Sequence, residues 1–303
     1  MAPKKTAAPG WGVAGTSVLV TGGSGFVGQR LVEMLVERGA TRVISFDITP
    51  KPKDALNDGR IEYVQGDITD FESVSRAVKG VDCVFHIAAL VGPFHPRPRY
   101  MAVNYQGTLN IIDAARKHGV KKIVMSSSPS TRFHGGDING EAEADLPFPK
   151  RYLQEYAESK AMGEKALRAA CSDTLMTVAV APHQVYGPRD SLFLPNLLHA
   201  AGTGMLRIWG NGQNRVAFTH VDNYCHGLML GHDALYKGSP ALGQFYIVTD
   251  GDFQLFWRVL DQAAVSMGFA SMWTKFKLPY MLMMAVAYIF VVVGLILGRK
   301  MKV

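Results

Sequence analysis

Tyr156 and Lys160 stand four residues apart in the helix-forming segment YAESK, so both side chains emerge on one face of a helix. A free phenol titrates at about pH 10 and is a poor base at neutral pH. An ammonium beside it favours the phenolate and lowers the pKa of the phenol. The pair therefore predicts acid–base catalysis by Tyr156 with help from Lys160, although tyrosine and lysine also meet at this spacing on surfaces without function.

Three consecutive serines, Ser126, Ser127 and Ser128, follow the apolar run 123–125, which is typical of a β-strand. In doubly wound sheets, ligands bind at the carboxyl ends of the strands, so a hydroxyl there can donate to a substrate oxygen. For Ser126 and Ser127 the simpler interpretation is that they cap and turn the strand. Ser128 is the predicted catalytic hydroxyl.

A glycine-rich turn joins the β-branched run 16–20 to a helical pattern of apolar residues. Its GxxGxxG spacing suits a dinucleotide, because the first glycine permits a tight turn, the second lets the backbone approach a pyrophosphate, and the third lets the helix pack on the strand. The N–H groups and the dipole of the helix N-terminus favour the phosphates. Glycine-rich turns also serve ordinary packing, so the spacing needs its context. The residues assigned to this site are Gly22, Gly25, Phe26, Val27 and Gly28.

Asp47 ends the second predicted strand, 19 residues after Gly28. A carboxylate at this position can accept hydrogen bonds from both hydroxyls of an adenosine ribose. It would also repel a 2′-phosphate, so the sequence predicts NAD and not NADP as the cofactor. The alternative is that Asp47 is a solvated turn residue.

Strand-like and helix-like runs alternate through the first part of the chain, which predicts an α/β fold with a doubly wound parallel sheet of the Rossmann type. The strand-like runs are 16–20, 43–46, 61–64, 83–87, 123–125 and 177–181, and the helix-like runs are 73–78, 104–118 and 155–170. The predicted domains are an NAD-binding domain at 15–181 and a smaller substrate lobe at 182–276, packed on the sheet. Helices at 221–234 and 254–267 are expected within that lobe.

An uncharged apolar run, 278–298, is 21 residues long, which is about the thickness of a bilayer core when helical. The sequence therefore predicts a transmembrane helix at 277–299, with a buried or interfacial helix as the alternative. Flexible basic tails are predicted at 1–14 and 300–303. Lysine and arginine flank both ends of the run, so charge does not orient it.

The formal net charge of +7 and the pI of about 9.2 do not indicate nucleic-acid binding, because the basic residues are scattered along the chain. The three cysteines are widely spaced and frame no disulfides. The histidines lack metal-ligand spacing, so no metal site is predicted.

Several motifs together resemble the extended short-chain dehydrogenase/reductase family, and within it the 3β-hydroxysteroid dehydrogenase and sterol-4-carboxylate 3-dehydrogenase (decarboxylating) branch. They are TGGSGFVG at 21–28, GDITD at 66–70, HIAA at 86–89, VNYQGTLNIIDAA at 103–115, SSSPS at 126–130, YAESK at 156–160, PHQVYGPRD at 182–190 and NGQNRVAFTHVDN at 211–223. The resemblance runs from about residue 16 to the apolar run.

The resemblance implies further roles at the cofactor site. Asp67 and Ile68 would contact the adenine, and Ala88 and Ala89 would line the cofactor path. Pro182 and His183 would back the nicotinamide, Lys160 would bind the nicotinamide ribose, and Asn104 would steady the central helix and an active-site water. Ser128, Tyr156 and Lys160 would form the catalytic triad. Two departures stand out. Ala181 takes the place of a frequent arginine, and relatives in this branch continue with a stretch that closes the substrate pocket, whereas this sequence ends five residues after Gly298.

The resemblance implies NAD-dependent oxidation of a 3β-hydroxyl on a sterol-like lipid, with or without decarboxylation at the neighbouring carbon. It also implies a membrane protein of the endoplasmic reticulum with its catalytic lobe in the cytosol, and a homodimer is frequent in the family. One alternative is a non-catalytic, nucleotide-binding accessory subunit of an organellar membrane complex. Another is a soluble nucleotide-sugar epimerase or flavonoid-type reductase, which shares the fold and the triad.

Overall fold

The computed structural model describes residues 12–92 and 95–296. Its strands and helices are β1 (Ser17–Thr21), α1 (Phe26–Glu37), β2 (Arg42–Asp47), β3 (Ile61–Gln65), α2 (Phe71–Ala77), β4 (Cys83–His86), α3 (Arg97–Tyr100), α4 (Gly107–His118), β5 (Lys122–Ser126), α5 (Glu155–Ala170), β6 (Met176–Pro182), β7 (Val185–Tyr186), α6 (Leu194–Gly202), β8 (Arg215–Val216), β9 (Thr219–His220), α7 (Val221–Asp233), β10 (Phe245–Val248), β11 (Gln254–Leu255), α8 (Phe256–Ser266) and α9 (Tyr280–Ile296). Most of the tail predicted at 1–14, and all of that at 300–303, lies outside the described residues.

Within the described residues, seven strands form one sheet in the order β10-β6-β5-β4-β1-β2-β3, and all of its pairs are parallel. The chain runs from β1 through β2 to β3 and then returns to place β4 on the other side of β1. This reversal is the switch point of a doubly wound sheet, at which ligands bind. The predicted α/β fold of the Rossmann type is therefore confirmed.

The core follows from the alternation of side chains along buried strands. Leu19, Ile44 and Ile123 point to one face, where they form a buried cluster with residues of α2, α4 and α5. The next residue of β5, Val124, points the other way and lies against Gly231 of α7. Each large aliphatic side chain buried in this way contributes about 1.5–3 kcal/mol, so both faces of the sheet need helices.

The close approach of α5 to the start of α4 depends on Gly163. A Cβ atom added at this glycine would stand 2.5 Å from the carbonyl oxygen of Asn104 and 3.0 Å from Oγ1 of Thr108. The carbonyl belongs to a π-helical turn, Met101–Gln106, that leads into α4. Because Gly163 has no side chain, the helix that carries Tyr156 and Lys160 lies directly beside this turn.

A buried histidine ties the ends of two strands to α4. His86 is hydrogen bonded through Nδ1 to Thr21 at 2.8 Å and through Nε2 to Thr108 at 3.0 Å. Burial lowers the pKa of His86 to about 3, so the ring is neutral at physiological pH. Its role is structural, since both ring nitrogens are already engaged by threonine hydroxyls.

The chain forms two compact units that differ from the predicted domains. The first contains the described residues up to Pro182 together with Val221–Val248, and the second contains His183–His220 and the described residues from Thr249 onward. The segment Val221–Val248 joins the first unit because β10 pairs with β6 and α7 contacts β5 and β6. The sequence had placed this segment in a lobe at 182–276.

The second unit contains short strands and helices around a small core. β7 pairs with β9, and β8 pairs with β11, while α6 and α8 pack together. A buried cluster is formed by Ile208, Trp257, Leu260 and Met272. A cavity of about 340 Å³ lies in this unit, with Phe193, Leu194, Phe218 and Val259 among its lining residues.

The apolar C-terminal run forms α9, which has 17 residues. Among the described residues, no helix combines the length and the apolarity needed to cross a membrane. Residues 297–299 of the predicted transmembrane segment lie outside the described part of the chain. Many side chains of α9 are exposed, and those of Met281 and Ile296 are each 77% exposed.

Candidate active site

The carboxyl edge of the sheet brings together most of the predicted site residues. The glycine turn follows β1, Asp47 ends β2, Ala88 follows β4, and Ser128 follows β5. α5, which carries Tyr156 and Lys160, reaches the same edge through a hydrogen bond to the last residue of β5. Local sequence therefore supplies each group, and the parallel pairing of the strands aligns them.

The glycine turn approaches the end of β4 closely. Gly22 has φ +71°, and a Cβ atom there would stand 2.8 Å from the backbone nitrogen of Ala88. At Gly28, a Cβ atom would collide with the carbonyl oxygen of Gly22. Gly25 faces open space apart from that same carbonyl. Two of the glycines are thus required by backbone contacts, and Gly25 leaves room for a ligand.

The start of α1 suits an anion. The helix begins at Phe26, its N-cap is Gly25 without a side-chain cap, and its first turn contains no acidic residue. The first N–H groups of a helix have no partner within the helix and carry the positive end of its dipole. The backbone N–H groups of Phe26 and Val27 are therefore suited to a pyrophosphate, and their contact with one stays a prediction.

Asp47 connects the glycine turn to the loop that follows β2. Its Oδ2 accepts a hydrogen bond from the backbone N–H of Ser24 at 3.1 Å, and its Oδ1 accepts from the N–H and the hydroxyl of Thr49, each at 2.9 Å. The carboxylate is fixed beside the turn and retains lone pairs for further donors. This geometry fits a ribose diol and disfavours a phosphate in the same place.

Asp47→Asn is expected to weaken NAD binding about tenfold, because the charge-assisted hydrogen bonds to the ribose become neutral ones. The affinity for NADP should fall less or rise, so the preference for NAD narrows. Calorimetric titration with both nucleotides measures the ratio. Asp173→Asn, at an exposed residue before the amino end of β6, is the matched control, and equal losses for both nucleotides in Asp47→Asn would contradict the assignment.

The loops after β3 and β4 hold the other residues that were assigned to the cofactor. Asp67 accepts a hydrogen bond from the backbone of Thr69 at 2.8 Å, and the side chain of Ile68 is buried in the core. Ala88 donates its N–H to the hydroxyl of Thr21 at 3.2 Å. Ala89 is half-buried beside it. Their predicted contacts with the adenine and along the cofactor path stay predictions.

Lys160 is held at the end of β5. Its side chain is buried, and Nζ donates to the carbonyl oxygen of Ser126 at 2.7 Å. Burial lowers the pKa of this ammonium to about 8, and the nearby Glu164 opposes that shift. An amine with such a pKa is still mostly protonated at neutral pH, so Lys160 presents a fixed positive charge to a ligand at this edge.

The predicted effect of Lys160 on Tyr156 is not found. The pKa of the Tyr156 phenol is raised, chiefly by burial, while a hydrogen bond with Ser128 acts in the opposite direction. The physical reason is that removal of the phenol from water disfavours its anion, and the Lys160 ammonium is directed to the Ser126 carbonyl. At neutral pH the phenol is therefore protonated.

The three serines at the end of β5 have different hydrogen-bond partners, and the catalytic role of Ser128 stays a prediction. The Ser126 hydroxyl is engaged by Tyr224, whose hydroxyl donates to it at 2.8 Å, and Ser127 donates to Glu164 at 2.7 Å. Ser128 begins a short 3₁₀ turn, and its hydroxyl pairs with that of Ser130 at 2.9 Å. Of the three, Ser128 is the one whose hydrogen bonding lowers the pKa of the Tyr156 phenol, against the larger effect of burial.

Asn104 connects three segments around this site. Its amide accepts from the N–H of Leu90 at 2.7 Å, and it donates to the carbonyl of Leu90 and to the hydroxyl of Ser159. Asn104 lies in the π-helical turn, and such turns are frequent at functional sites. The residue thus fixes the loop after β4 to α5, and its predicted role at an active-site water stays a prediction.

Pro182 ends β6, and His183 is the first residue of the second unit. The backbone N–H of His183 donates to Thr219 at 2.9 Å. Its ring nitrogen Nδ1 is buried and has no hydrogen-bond partner within the described chain. A buried polar atom of this kind is available to a ligand. The predicted role of both residues at the nicotinamide stays a prediction.

Sequence reasoning missed several residues that support the site. Tyr100 is buried, and its ring packs edge-on against that of Tyr156 with the centroids 6.1 Å apart. A buried ion pair joins Arg132 to Glu164. The YAESK motif could have pointed to Glu164, which stands four residues after Lys160 on the same helical face. No sequence pattern near Arg132 or Tyr100 indicated their contacts.

The comparisons with known proteins agree with this geometry. A family model described as the 3-beta hydroxysteroid dehydrogenase/isomerase family matches residues 19–278. The 3beta-hydroxysteroid-dehydrogenase/decarboxylase isoform 1 of Arabidopsis thaliana is 34% identical over 288 residues, which cover 89% of this chain and 65% of that protein. A 2-alkyl-3-oxoalkanoate reductase of Stenotrophomonas maltophilia is 34% identical over 252 residues, 83% of this chain and 76% of the relative.

Solved structures share this fold, and several of them contain NAD. A dTDP-glucose 4,6-dehydratase from Streptomyces venezuelae, solved with NAD, has a TM-score of 0.72 and 26% identity, and the match covers 84% of this chain and 82% of that one. These findings confirm the predicted class of enzyme, an NAD-dependent dehydrogenase, and the predicted cofactor at the level of the family. The chain belongs to the 3-beta hydroxysteroid dehydrogenase/isomerase family.

Proposed function

We propose that this protein oxidises a secondary alcohol on an apolar, sterol-like substrate. In this substrate the carbon next to the alcohol carbon carries a carboxylate. The observation that supports this most is the hydrogen bond of Lys160 to the Ser126 carbonyl. It holds the helix with the Tyr156 phenol against the strand end that leads to Ser128. An alcohol between the two hydroxyl groups would have a hydrogen-bond donor and a proton acceptor in reach.

The chain's own residues supply the proton transfer and the orientation. Tyr156, once deprotonated, takes the proton of the substrate hydroxyl, and Ser128 donates to the same oxygen. The Lys160 ammonium favours the phenolate when a ligand draws it from the Ser126 carbonyl. NAD, held by the glycine turn and Asp47, would supply the hydride acceptor for the carbinol carbon. The alcohol becomes a ketone, with two electrons and one proton removed as hydride and the second proton held by Tyr156.

The carboxylate next to the carbinol carbon explains how decarboxylation would follow. Oxidation of such a β-hydroxy acid gives a β-keto acid, in which the new ketone accepts the electron pair of the broken C–C bond. Carbon dioxide leaves, and the resulting enolate takes up one proton. The Arabidopsis relative is named a dehydrogenase/decarboxylase, which favours this course.

The reverse reaction on an open-chain substrate is a second candidate. The Stenotrophomonas relative is named as a reductase of 2-alkyl-3-oxoalkanoates, which are also β-keto acids with a substituted α-carbon. The protonated state of Tyr156 at neutral pH suits donation of a proton to a ketone. The shared feature is an oxygen function on the carbon next to the one that bears the carboxylate.

A non-catalytic accessory subunit is the less favoured proposal. Lys160 bonds to the strand end that leads to Ser128, the Tyr100 ring packs against Tyr156, and Asn104 donates to Ser159 on the same helix. A scaffold that only binds a nucleotide needs none of these contacts. The predicted homodimer, the membrane-complex partner and the organelle stay predictions.

Membrane association is part of the proposal. α9 contains no charged residue, and its exposed side chains include Tyr280, Met281 and Tyr288. Lys275 and Lys277 precede it, as anchors do near anionic headgroups. An apolar helix in contact with lipid would bring the enzyme to a bilayer-dissolved substrate. The test is flotation of the protein with anionic liposomes. We expect the protein to float with them and the double variant Met281→Lys/Ile289→Lys to lose this association.

The activity is tested by NADH formation, measured as absorbance at the nicotinamide band, with a 3β-hydroxysterol that carries a 4-carboxylate. The expected result is NADH and carbon dioxide in equal amounts. The same sterol without the carboxylate should give NADH alone. Turnover of a 2-alkyl-3-oxoalkanoate with NADH and of neither sterol would replace the leading proposal by the second candidate, and no turnover of any of the three would refute both.

A further inference from the structure

A buried ion pair stands behind the predicted catalytic hydroxyl. The side chains of Arg132 and Glu164 are 3% and 0% exposed, and two nitrogens of the guanidinium contact the two carboxylate oxygens at 2.5 and 3.3 Å. Burying two charges costs several kcal/mol per ion, and an apolar pair of similar shape is often as stable. The pair therefore calls for an explanation beyond stability.

The Glu164 carboxylate also contacts both sides of the segment that contains Ser128. Ser127 donates its hydroxyl to Oε2 at 2.7 Å, and Oγ1 of Thr131 lies 3.3 Å from the same oxygen. Thr131 in turn donates to the carbonyl oxygen of Ser128 at 2.8 Å. Ser128 is thus enclosed between two residues that are fixed by one carboxylate.

Aromatic rings fix the position of the Arg132 guanidinium. Its central carbon lies 3.8 Å from the centre of the Phe148 ring and 4.1 Å from that of Phe245 in β10. A planar guanidinium can stack on both rings while it binds a carboxylate with two hydrogen bonds, and an ammonium cannot do both. Arginine is therefore the residue that this site requires.

Glu164 lies on the same face of α5 as Tyr156 and Lys160, because the three residues are spaced four apart. One helix face thus carries the phenol, the ammonium and the carboxylate that holds the serine segment. We propose that Arg132 and Glu164 form a positioning pair, which fixes the Ser128 hydroxyl opposite the Tyr156 phenol. The expected effect of the pair on turnover rests on the proposed function. The expected effect of the pair on the segment that contains Ser128 rests on geometry alone.

The test compares the double variant Arg132→Met/Glu164→Gln with the wild type. The double variant removes both charges of the pair together, so that neither Arg132 nor Glu164 is left as a buried charge without its partner. Ser127→Ala is a milder variant that deletes a single hydrogen bond to the carboxylate and preserves the ion pair. Arg42→Met/Glu62→Gln is the matched control, because Arg42 and Glu62 form a similar two-bond pair between β2 and β3.

Three quantities are measured: the dissociation constant of NADH, kcat per NADH-binding site, and hydrogen exchange of the peptide 126–133. We expect the double variant to keep its NADH affinity within about twofold, since the glycine turn and Asp47 are untouched. Its kcat should fall about 10–100-fold, because small displacements of a reacting group have effects of this size. Exchange in 126–133 should become about tenfold faster, with a smaller change in the same direction in Ser127→Ala.

The readouts distinguish the possible failures. Wild-type kcat per NADH-binding site in the double variant overturns the positioning role, even if the variant is less stable. The role is also overturned if hydrogen exchange in 126–133 is unchanged in both the double variant and Ser127→Ala. It is overturned as well if kcat and exchange change equally in the Arg42/Glu62 control. If the wild type oxidises no sterol, the proposed function fails, and exchange still decides whether the pair fixes the segment. If the double variant does not fold, Ser127→Ala alone decides.

Discussion

Tyr156→Phe is expected to lower kcat for alcohol oxidation about 10³-fold, with little change in the affinity for NADH. The phenylalanine ring fills the same space against Tyr100, so the packing of α5 is preserved. Only the oxygen that we propose to exchange a proton with the substrate is lost, and general acid–base groups contribute about 10²–10⁴-fold to rates. Stopped assays of NADH formation and a fluorescence titration with NADH measure the two quantities.

The pH dependence of the oxidation rate provides a second test of the role of Tyr156. Because the pKa of Tyr156 is raised by burial, the phenolate is a minor species at neutral pH. Its population increases about tenfold per pH unit below the pKa, so oxidation should accelerate as the pH rises above 7. Reduction of the ketone, which uses the protonated phenol, should not accelerate in this way.

The matched control is Tyr236→Phe, which removes a hydroxyl from an exposed tyrosine of the first unit. It should oxidise the substrate at the wild-type rate. Retention of most of the activity by Tyr156→Phe would show that this phenol is not the proton acceptor. The same conclusion would follow if Tyr156→Phe lost activity only through weaker NADH binding.

Lys160→Met is expected to raise the free energy of unfolding by about 2 kcal/mol at pH 7 while kcat falls by 10²-fold or more. The pKa of Lys160 is about 8 in the folded protein, against 10.5 for the free side chain. A difference of this size corresponds to about 3 kcal/mol of unfavourable burial of the charge. Loss of the hydrogen bond to the Ser126 carbonyl offsets about 1 kcal/mol of that gain.

The sign of the pH effect follows from linkage. Below pH 8 the lysine is charged in both states, and its full burial cost is present. Between pH 8 and 10.5 the unfolded state binds more protons than the folded state, so the wild type gains stability from this group as the pH rises. The advantage of Lys160→Met should therefore be largest at pH 7 and should disappear by about pH 10.5.

Urea unfolding followed by circular dichroism at pH 7 and at pH 10 measures this difference. Lys79→Met, at an exposed lysine, is the control. Its free energy of unfolding relative to the wild type should be the same at both pH values. If Lys160→Met were less stable than the wild type at pH 7, the buried charge would not carry the cost assigned to it. A variant that kept full activity would remove Lys160 from the catalytic assignment.

The ion pair of Arg132 and Glu164 shows where sequence reasoning stops. Glu164 shares a helix face with Tyr156 and Lys160, so its direction is a consequence of spacing alone. Arg132 reaches it from a turn that follows β5, and its guanidinium packs on Phe245, which is 113 positions further along the chain. Such a contact depends on β10 lying beside β6, and no local pattern specifies that neighbour.

The pKa of Tyr156 shows the same division. The spacing in YAESK predicts a lysine on the helix face of the tyrosine, and charge alone would lower the pKa of the phenol. Burial has the opposite effect and is larger in the folded chain. The balance between desolvation and charge depends on every atom around the ring, including Tyr100, and these atoms come from distant segments.

By itself, the sequence determined the strand–turn–helix unit at Gly22–Gly28, the placement of Asp47 at a strand end, the common helix face of Tyr156 and Lys160, and the family of the chain. The first three features follow from periodicity and turn chemistry over a few residues, which act before any distant contact forms, whereas the family was indicated by the resemblance of several motifs. Tertiary structure alone decided that Val221–Val248 joins the first unit, that Asn104 fixes α5, and that a buried ion pair supports Ser128. Those outcomes require strands and helices far apart in the chain to pack, and packing is selected by the shape and burial of whole surfaces.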